Sequence, residues 1–183
     1  MKKIILCTLV LVSVFSCKKE SQKNAENATS VDSISTSEPS AAVSLKTFTP
    51  DKISEVLNKK NDTLYVTNFF ATWCGPCVKE IPHFNAKIAE LKGKPVKITF
   101  VSLDQKDIWN SEVPRFTKEH GIQDHTVLLD GQLLDANFFK NNFKQWDGGA
   151  IPFTFMRKGE KTDETLGMIT EEQLNEKINS LLK

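Results

Sequence analysis

The sequence predicts an α/β domain in which a mixed sheet carries helices on both faces, and three observations support that expectation. Between residues 49 and 143, apolar runs of strand length alternate with segments of helical periodicity. A strand pair across Lys158-Gly159-Glu160 and a capped helix then close the chain. Leu64 to Phe70, rich in β-branched and aromatic residues, leads straight into Cys74-Gly75-Pro76-Cys77 and a further helical pattern. A chain of 183 residues, 39% of them hydrophobic, suits one core with accessory segments.

The accessory segments come first. Met1-Lys2-Lys3 followed by the apolar run Ile4 to Phe15 has the layout of a secretory signal, with a run too short for an ordinary membrane-spanning helix. Residues 1–16 are therefore expected to direct export and to be removed, Cys7 with them. Loss of Lys2 and Lys3 leaves 22 basic against 23 acidic residues, a balance that offers no footprint for nucleic acid. The run ends in Val14-Phe15-Ser16-Cys17, which resembles the lipobox of bacterial lipoproteins. That resemblance implies acylation of Cys17 as the new N-terminus; a plain secretory signal would instead leave an unpaired thiol. The rest of residues 17–43 is rich in Ser, Lys, Glu, Asn and Ala and has no aromatic residue, so it cannot bury enough apolar surface to order itself. It reads as a tether that holds the domain about 30 Å from its anchor, and about 90 Å when taut.

The folded domain is expected over residues 44–183. Thr49-Pro50-Asp51 gives a helix start, with Ile53, Val56 and Leu57 on its apolar face. After the strand Leu64 to Phe70, the spacing of Cys77, Ile81, Phe84, Ile88 and Leu91 predicts a long helix ended by Gly93, with a kink at Pro82. Val96 to Leu103 reads as a strand, Glu112 to His120 as a helix stopped by Gly121, and Thr126 to Leu129 as a short strand. Leu133 to Phe143 reads as a helix with Leu134, Phe138 and Phe139 inward. Phe153 to Arg157 and Glu164 to Met168 form the hairpin, and Thr170-x-x-Gln173 caps a last helix that buries Leu174, Ile178 and Leu181.

The C-x-x-C carries the chemistry. Unpaired N–H groups and the positive dipole end of the following helix favour a thiolate there, which points to a redox dithiol. A structural disulfide closing so small a loop would contribute only about 2 kcal/mol before strain. A structural zinc site needs about four ligands, and the other cysteines, Cys7 and Cys17, lie in the leader. Copper(I) held by the two thiolates remains an alternative function, as does a lipoprotein adaptor with an incidental dithiol. Neither a cofactor nor a metal is called for by the residues, and His83, His120 and His125 show no ligand spacing.

Trp73-Cys74-Gly75-Pro76-Cys77 matches the active-site signature of thioredoxins, and Ile151-Pro152 before a strand resembles the cis-proline loop of that family. The resemblance covers roughly residues 44–183. It implies a thioredoxin fold, with a central mixed sheet, helices on both faces and an inserted strand-helix segment within Ser102 to Gly149. Cys77-Val78-Lys79-Glu80-Ile81-Pro82 resembles the Cys-x-x-Glu-x-Pro run of the exported, membrane-anchored TlpA/ResA type, and Asn68 stands where thioredoxin has a buried aspartate.

The roles follow from the positions. Cys74, at the exposed end of the motif, is expected to attack substrate disulfides, and Cys77, one turn in, to resolve the mixed disulfide. Lowering a thiol pKa from about 8.5 to about 7 raises the thiolate fraction about 16-fold, but weaker nucleophilicity takes back about fivefold, so the helix end tunes poise more than speed. Glu80, three residues beyond Cys77, is the expected proton acceptor. Trp73, Gly75, Pro76, Ile151 and Pro152 are expected to shape the substrate site, with Ile151 pairing an extended segment by strand addition. Trp146 and Gly148-Gly149 either shape partner specificity or form a loop around one packed aromatic.

These readings imply a monomeric, lipid-anchored thiol:disulfide oxidoreductase of the cell envelope that faces the periplasm. Its expected partners are disulfide-bearing envelope proteins and a membrane electron donor, and the resemblance makes cytochrome c maturation a candidate pathway. Replacing Cys17 by Ser should move the protein from the membrane to the soluble envelope fraction on fractionation, because the tether has no other apolar anchor.

Overall fold

A computed structural model describes residues 44–183. The expected signal segment and tether, with Cys7 and Cys17, lie outside the described residues. The domain runs β1 (Lys46–Phe48), α1 (Pro50–Leu57), β2 (Leu64–Phe70), α2 (Gly75–Glu90), β3 (Val96–Ser102), α3 (Glu112–Glu119), β4 (Thr126–Leu129), α4 (Ala136–Asn142), β5 (Phe153–Lys158), β6 (Lys161–Leu166) and α5 (Glu171–Leu182). The sheet order is β1-β4-β3-β2-β5-β6. The first four strands are parallel, and β5 and β6 add antiparallel.

Every residue of β2 is buried, as expected of a central strand covered on both faces. Side-chain alternation then sorts the core. Leu64, Val66 and Phe70 of β2 and Met156 of β5 join Ile81 and Phe84 of α2 and Leu174, Ile178 and Leu181 of α5 on one face. Phe69, Phe153 and Phe155 join Ile53 and Leu57 of α1 and Phe138, Phe143 and Trp146 on the other. The same alternation sends Asn68 and Thr154, direct partners across β2 and β5, toward α2.

Several elements match the sequence reading. Thr49 caps α1 by accepting from the Lys52 N–H at 3.2 Å, and Thr170 and Gln173 form the reciprocal capping box of α5. Helix α2 continues through Pro82, where the sequence predicts a kink, as one element. An interior proline costs about 3 kcal/mol, which burial of Ile81 and Phe84 offsets at about 2 kcal/mol or more each.

Other elements depart from it. The helix expected from Leu133 begins instead at Ala136, because Asp135 accepts from the Phe138 N–H at 2.7 Å and fixes the first turn there. Leu133 ends a separate 3₁₀ turn and is exposed. Strand β6 starts at Lys161, not Glu164, because Gly159, at φ 57°, lets the chain reverse within two residues and pair Lys158 with Lys161. Met168 lies beyond it, past Gly167. Strand β1, three residues long, went unread.

Trp146 is 3% exposed and therefore belongs to the core, not to a partner-facing surface. Its ring stacks on Phe153 with centroids 4.5 Å apart, and its Nε1–H donates to the Ala150 carbonyl at 2.8 Å. Phe139 meets Trp146 edge-on, and a Cβ at Gly148 would fall 2.4 Å from the tip of the Phe139 ring. Gly148 also has φ 87°. Gly148→Ala should therefore destabilise the domain by about 2 kcal/mol, read as a lower urea midpoint with unchanged slope.

Candidate active site

The junction of β2 and α2 builds the site. A tight turn, closed by the Cys74 N–H donating to the Ala71 carbonyl at 3.1 Å, ends the strand and makes Cys74 the N-cap of α2. The Cys77 N–H donates to the Cys74 Sγ at 3.3 Å, and the two sulfurs are joined in a disulfide with Cα atoms 5.2 Å apart. Cys74 is 5% exposed and Cys77 1%. Cys74 is the less buried of the two, but it is far less exposed than the sequence suggested. Its Sγ lies 3.8 Å from the Ile151 carbonyl oxygen, so the loop opposite covers it. The Ile151-Pro152 peptide is cis, and the Pro152 carbonyl accepts from the Gly167 N–H at 2.9 Å.

Trp73 stands at the rim with 73% of its surface exposed. Gly75 and Pro76 open α2, and beyond its chain neighbours and the backbone of its own turn nothing lies within 4 Å of where a Gly75 Cβ would stand. The expected substrate-site residues Trp73, Gly75, Pro76, Ile151 and Pro152 thus fall around the disulfide.

Glu80, on the buried side of α2, has no exposed surface. Its Oε1 accepts from the Asn68 amide at 2.7 Å and its Oε2 from the Ile169 N–H at 2.8 Å, while Asn68 also donates to the Thr154 hydroxyl at 3.1 Å. Burial pushes the Glu80 carboxyl up to about 7, against the opposing pull of the Ile169 and Asn68 hydrogen bonds. His83 places Nδ1 3.1 Å from the Ile169 carbonyl oxygen, so two side chains of α2 hold both polar groups of one residue.

The sequence reading missed part of this support. Thr154 looked like an ordinary strand residue, Ile169 like an apolar one, and the Asp104 that binds Thr72 behind the disulfide carried no motif. Their roles come from the register of β5 beside β2 and from the loops that follow β3 and β6. His125 and His120 are structural, the first with Nδ1 3.2 Å from the Ile98 carbonyl oxygen and the second packed on Phe116. Among the described residues, no three His, Cys, Asp or Glu side chains gather as a metal site, and no helix is long and apolar enough to cross a membrane.

Residues 37–161 match the AhpC/TSA family, well over half of the chain. This chain belongs to that family. Among its relatives, the thiol-disulfide oxidoreductase ResA of Bacillus subtilis is 30% identical over 115 residues, 61% of this chain and 58% of the relative. ResA of Bacillus anthracis is 29% identical over 109 residues, 58% and 57% of the two chains. The chain thus matches less than two thirds of the length of these relatives. The sporulation thiol-disulfide oxidoreductase A of Bacillus subtilis is 29% identical over 136 residues, 72% of this chain and 74% of the relative. A putative thiol:disulfide interchange protein DsbE from Chlorobium tepidum shares the fold with a TM-score of 0.53 and 23% identity over 67% of this chain and 82% of its own. The thioredoxin-like architecture of a mixed sheet with helices on both faces is therefore established, and segment 102–149 supplies β4, α3 and α4 within it.

The raised Glu80 carboxyl has a thermodynamic consequence. Between its ordinary value of 4.5 and about 7, the folded protein holds a proton that the unfolded chain has released. Stability from this group is therefore full below about pH 4.5 and falls by about 3 kcal/mol as pH rises through about 7. Urea unfolding at a series of pH values should show that decline, and Glu80→Gln should flatten it.

Proposed function

We propose that the chain is a thiol:disulfide oxidoreductase of the cell envelope that reduces disulfides of exported proteins through Cys74 and Cys77. The observation that carries the reading is the bonded cysteine pair at the start of α2, with Cys74 Sγ 3.8 Å from the Ile151 carbonyl and the exposed Trp73 at the rim. Relatives named for the same chemistry support it.

In the reduced form, the Cys74 thiolate attacks one sulfur of a substrate disulfide and releases the other as a thiolate, which takes up a proton. Cys77, deprotonated, then attacks the Cys74 Sγ, expels the second substrate thiolate and closes the protein disulfide. Two electrons pass to the substrate, and a membrane electron donor returns them. Glu80 is the proposed proton acceptor for Cys77, since a carboxyl near 7 is about half ionised at neutral pH and lies one helical turn from that thiol on the buried side of α2. The Ile151 backbone offers the edge on which an extended substrate segment pairs, and Trp73 gives it an apolar surface.

The expected anchoring at Cys17 puts this chemistry at an envelope membrane facing the periplasm, with apocytochrome c as one candidate substrate. Cys77→Ser should accumulate partners covalently attached through Cys74, because serine cannot displace a thiolate from the mixed disulfide at neutral pH. Non-reducing gels of envelope extracts should show these species. They should vanish with reductant and in the Cys74→Ser, Cys77→Ser double variant. An adaptor would retain its partners with both cysteines gone, and a copper(I) carrier would trap no protein.

A further inference from the structure

Behind the disulfide, Asp104 is 1% exposed and follows β3 by two residues. Both of its carboxylate oxygens lie 3.1 Å from the Thr72 nitrogen, whose N–H they share. Oδ1 also accepts from the Thr72 hydroxyl at 2.8 Å, and Oδ2 accepts from the Ser102 hydroxyl at 2.8 Å. The Asp104 carbonyl in turn accepts from the Trp109 Nε1–H at 2.8 Å, which fastens the acid from its far side. Thr72 is the second residue of the turn closed between Ala71 and Cys74, so two points of Asp104 hold the residue from which Trp73 and Cys74 hang.

We propose that Asp104 is a positioning residue for the redox couple, fixing the 71–74 turn through Thr72 so that the Cys74 sulfur is held where it closes on Cys77. This rests on the redox reading of the two cysteines and extends it to the segment 102–149, whose first residues brace the site. The physical argument is one of preorganisation. The stability of a disulfide relative to its dithiol depends on how often the two sulfurs meet, and a turn released from its clamp spends part of its time with them apart. Asp104 acts through Thr72, and its carboxylate is bonded to Thr72 and Ser102, not to either sulfur.

Equilibration in glutathione buffers tests the clamp. Protein disulfide and two glutathione thiols give protein dithiol and glutathione disulfide, two electrons and two protons passing from glutathione to the protein. Asp104→Ala should shift that equilibrium about tenfold toward the dithiol, making the couple about 30 mV more oxidising. Asp104→Asn, which keeps an acceptor oxygen for Thr72, should stay within about twofold of the parent protein. Thr72→Val, which removes one leg of the clamp and keeps the side-chain shape, should shift it about threefold, or about 15 mV. An unshifted Asp104→Ala overturns the proposal, and so does an Asp104→Asn shifted as far as Ala, since charge and not positioning would then set the equilibrium. If Asp104→Ala does not fold, Thr72→Val decides, and an unshifted Thr72→Val overturns the clamp. A parent protein that exchanges with glutathione beside unshifted variants removes only the role of Asp104. One that does not exchange at all removes the redox reading as well.

Discussion

A carboxylate with no path to water has to be answered by donors from the protein, and much of the site is arranged around answering Glu80. An unanswered buried charge would cost several kcal/mol, so the donors are a condition of the fold. Asn68 supplies one from β2, and the N–H of Ile169 supplies another from the approach to α5. Asn68 also bonds Thr154 on β5, so one acid ties α2, two neighbouring strands and the last connection together. Both bonds favour the ionised carboxylate and burial opposes them, and that balance leaves the group near 7.

The opposite wall of the site is held by different means. The loop that ends in Ile151-Pro152 rests on aromatic packing: Trp146 stacks on Phe153, meets Phe143 and Phe139 edge-on, and ties its indole N–H to Ala150. Glu164 on β6 accepts from the Lys144 and Gln145 N–H groups at the start of the same loop. One wall is thus polar and buried, the other aromatic, and the disulfide lies where they meet. The twelve phenylalanines of the chain supply several of the rings in that second wall.

How far the sequence revealed this depends on whether a signal was local. β2, the long helix after it, the Thr170 capping box and the Ile151-Pro152 landmark each carry their evidence within a few consecutive residues, and each lies where the sequence places it. The start of α4 was misjudged because Leu133 and Leu134 continue an apolar spacing that Asp135 interrupts with a cap. The polar Lys161-Thr162-Asp163 hid the first half of β6, an edge strand with no need for an apolar run. β1 is too short for any period, and its place beside β4 comes from a pairing across some eighty positions of chain. In the site, the cysteines and Glu80 were legible from spacing, whereas Asp104, Thr154 and Ile169 acquire their roles from strand register and loop closure, which no single sequence displays.

The empty space beside Gly75 separates two properties that proteins often trade against each other. Nothing in the core touches that position, so a side chain introduced between the cysteines meets solvent and the first turn of α2 rather than the packed interior. Charge or polarity added there would act on the neighbouring sulfurs while the architecture that carries them stays fixed. A substitution at this helix tip can therefore change the immediate surroundings of the disulfide without rebuilding the sheet underneath.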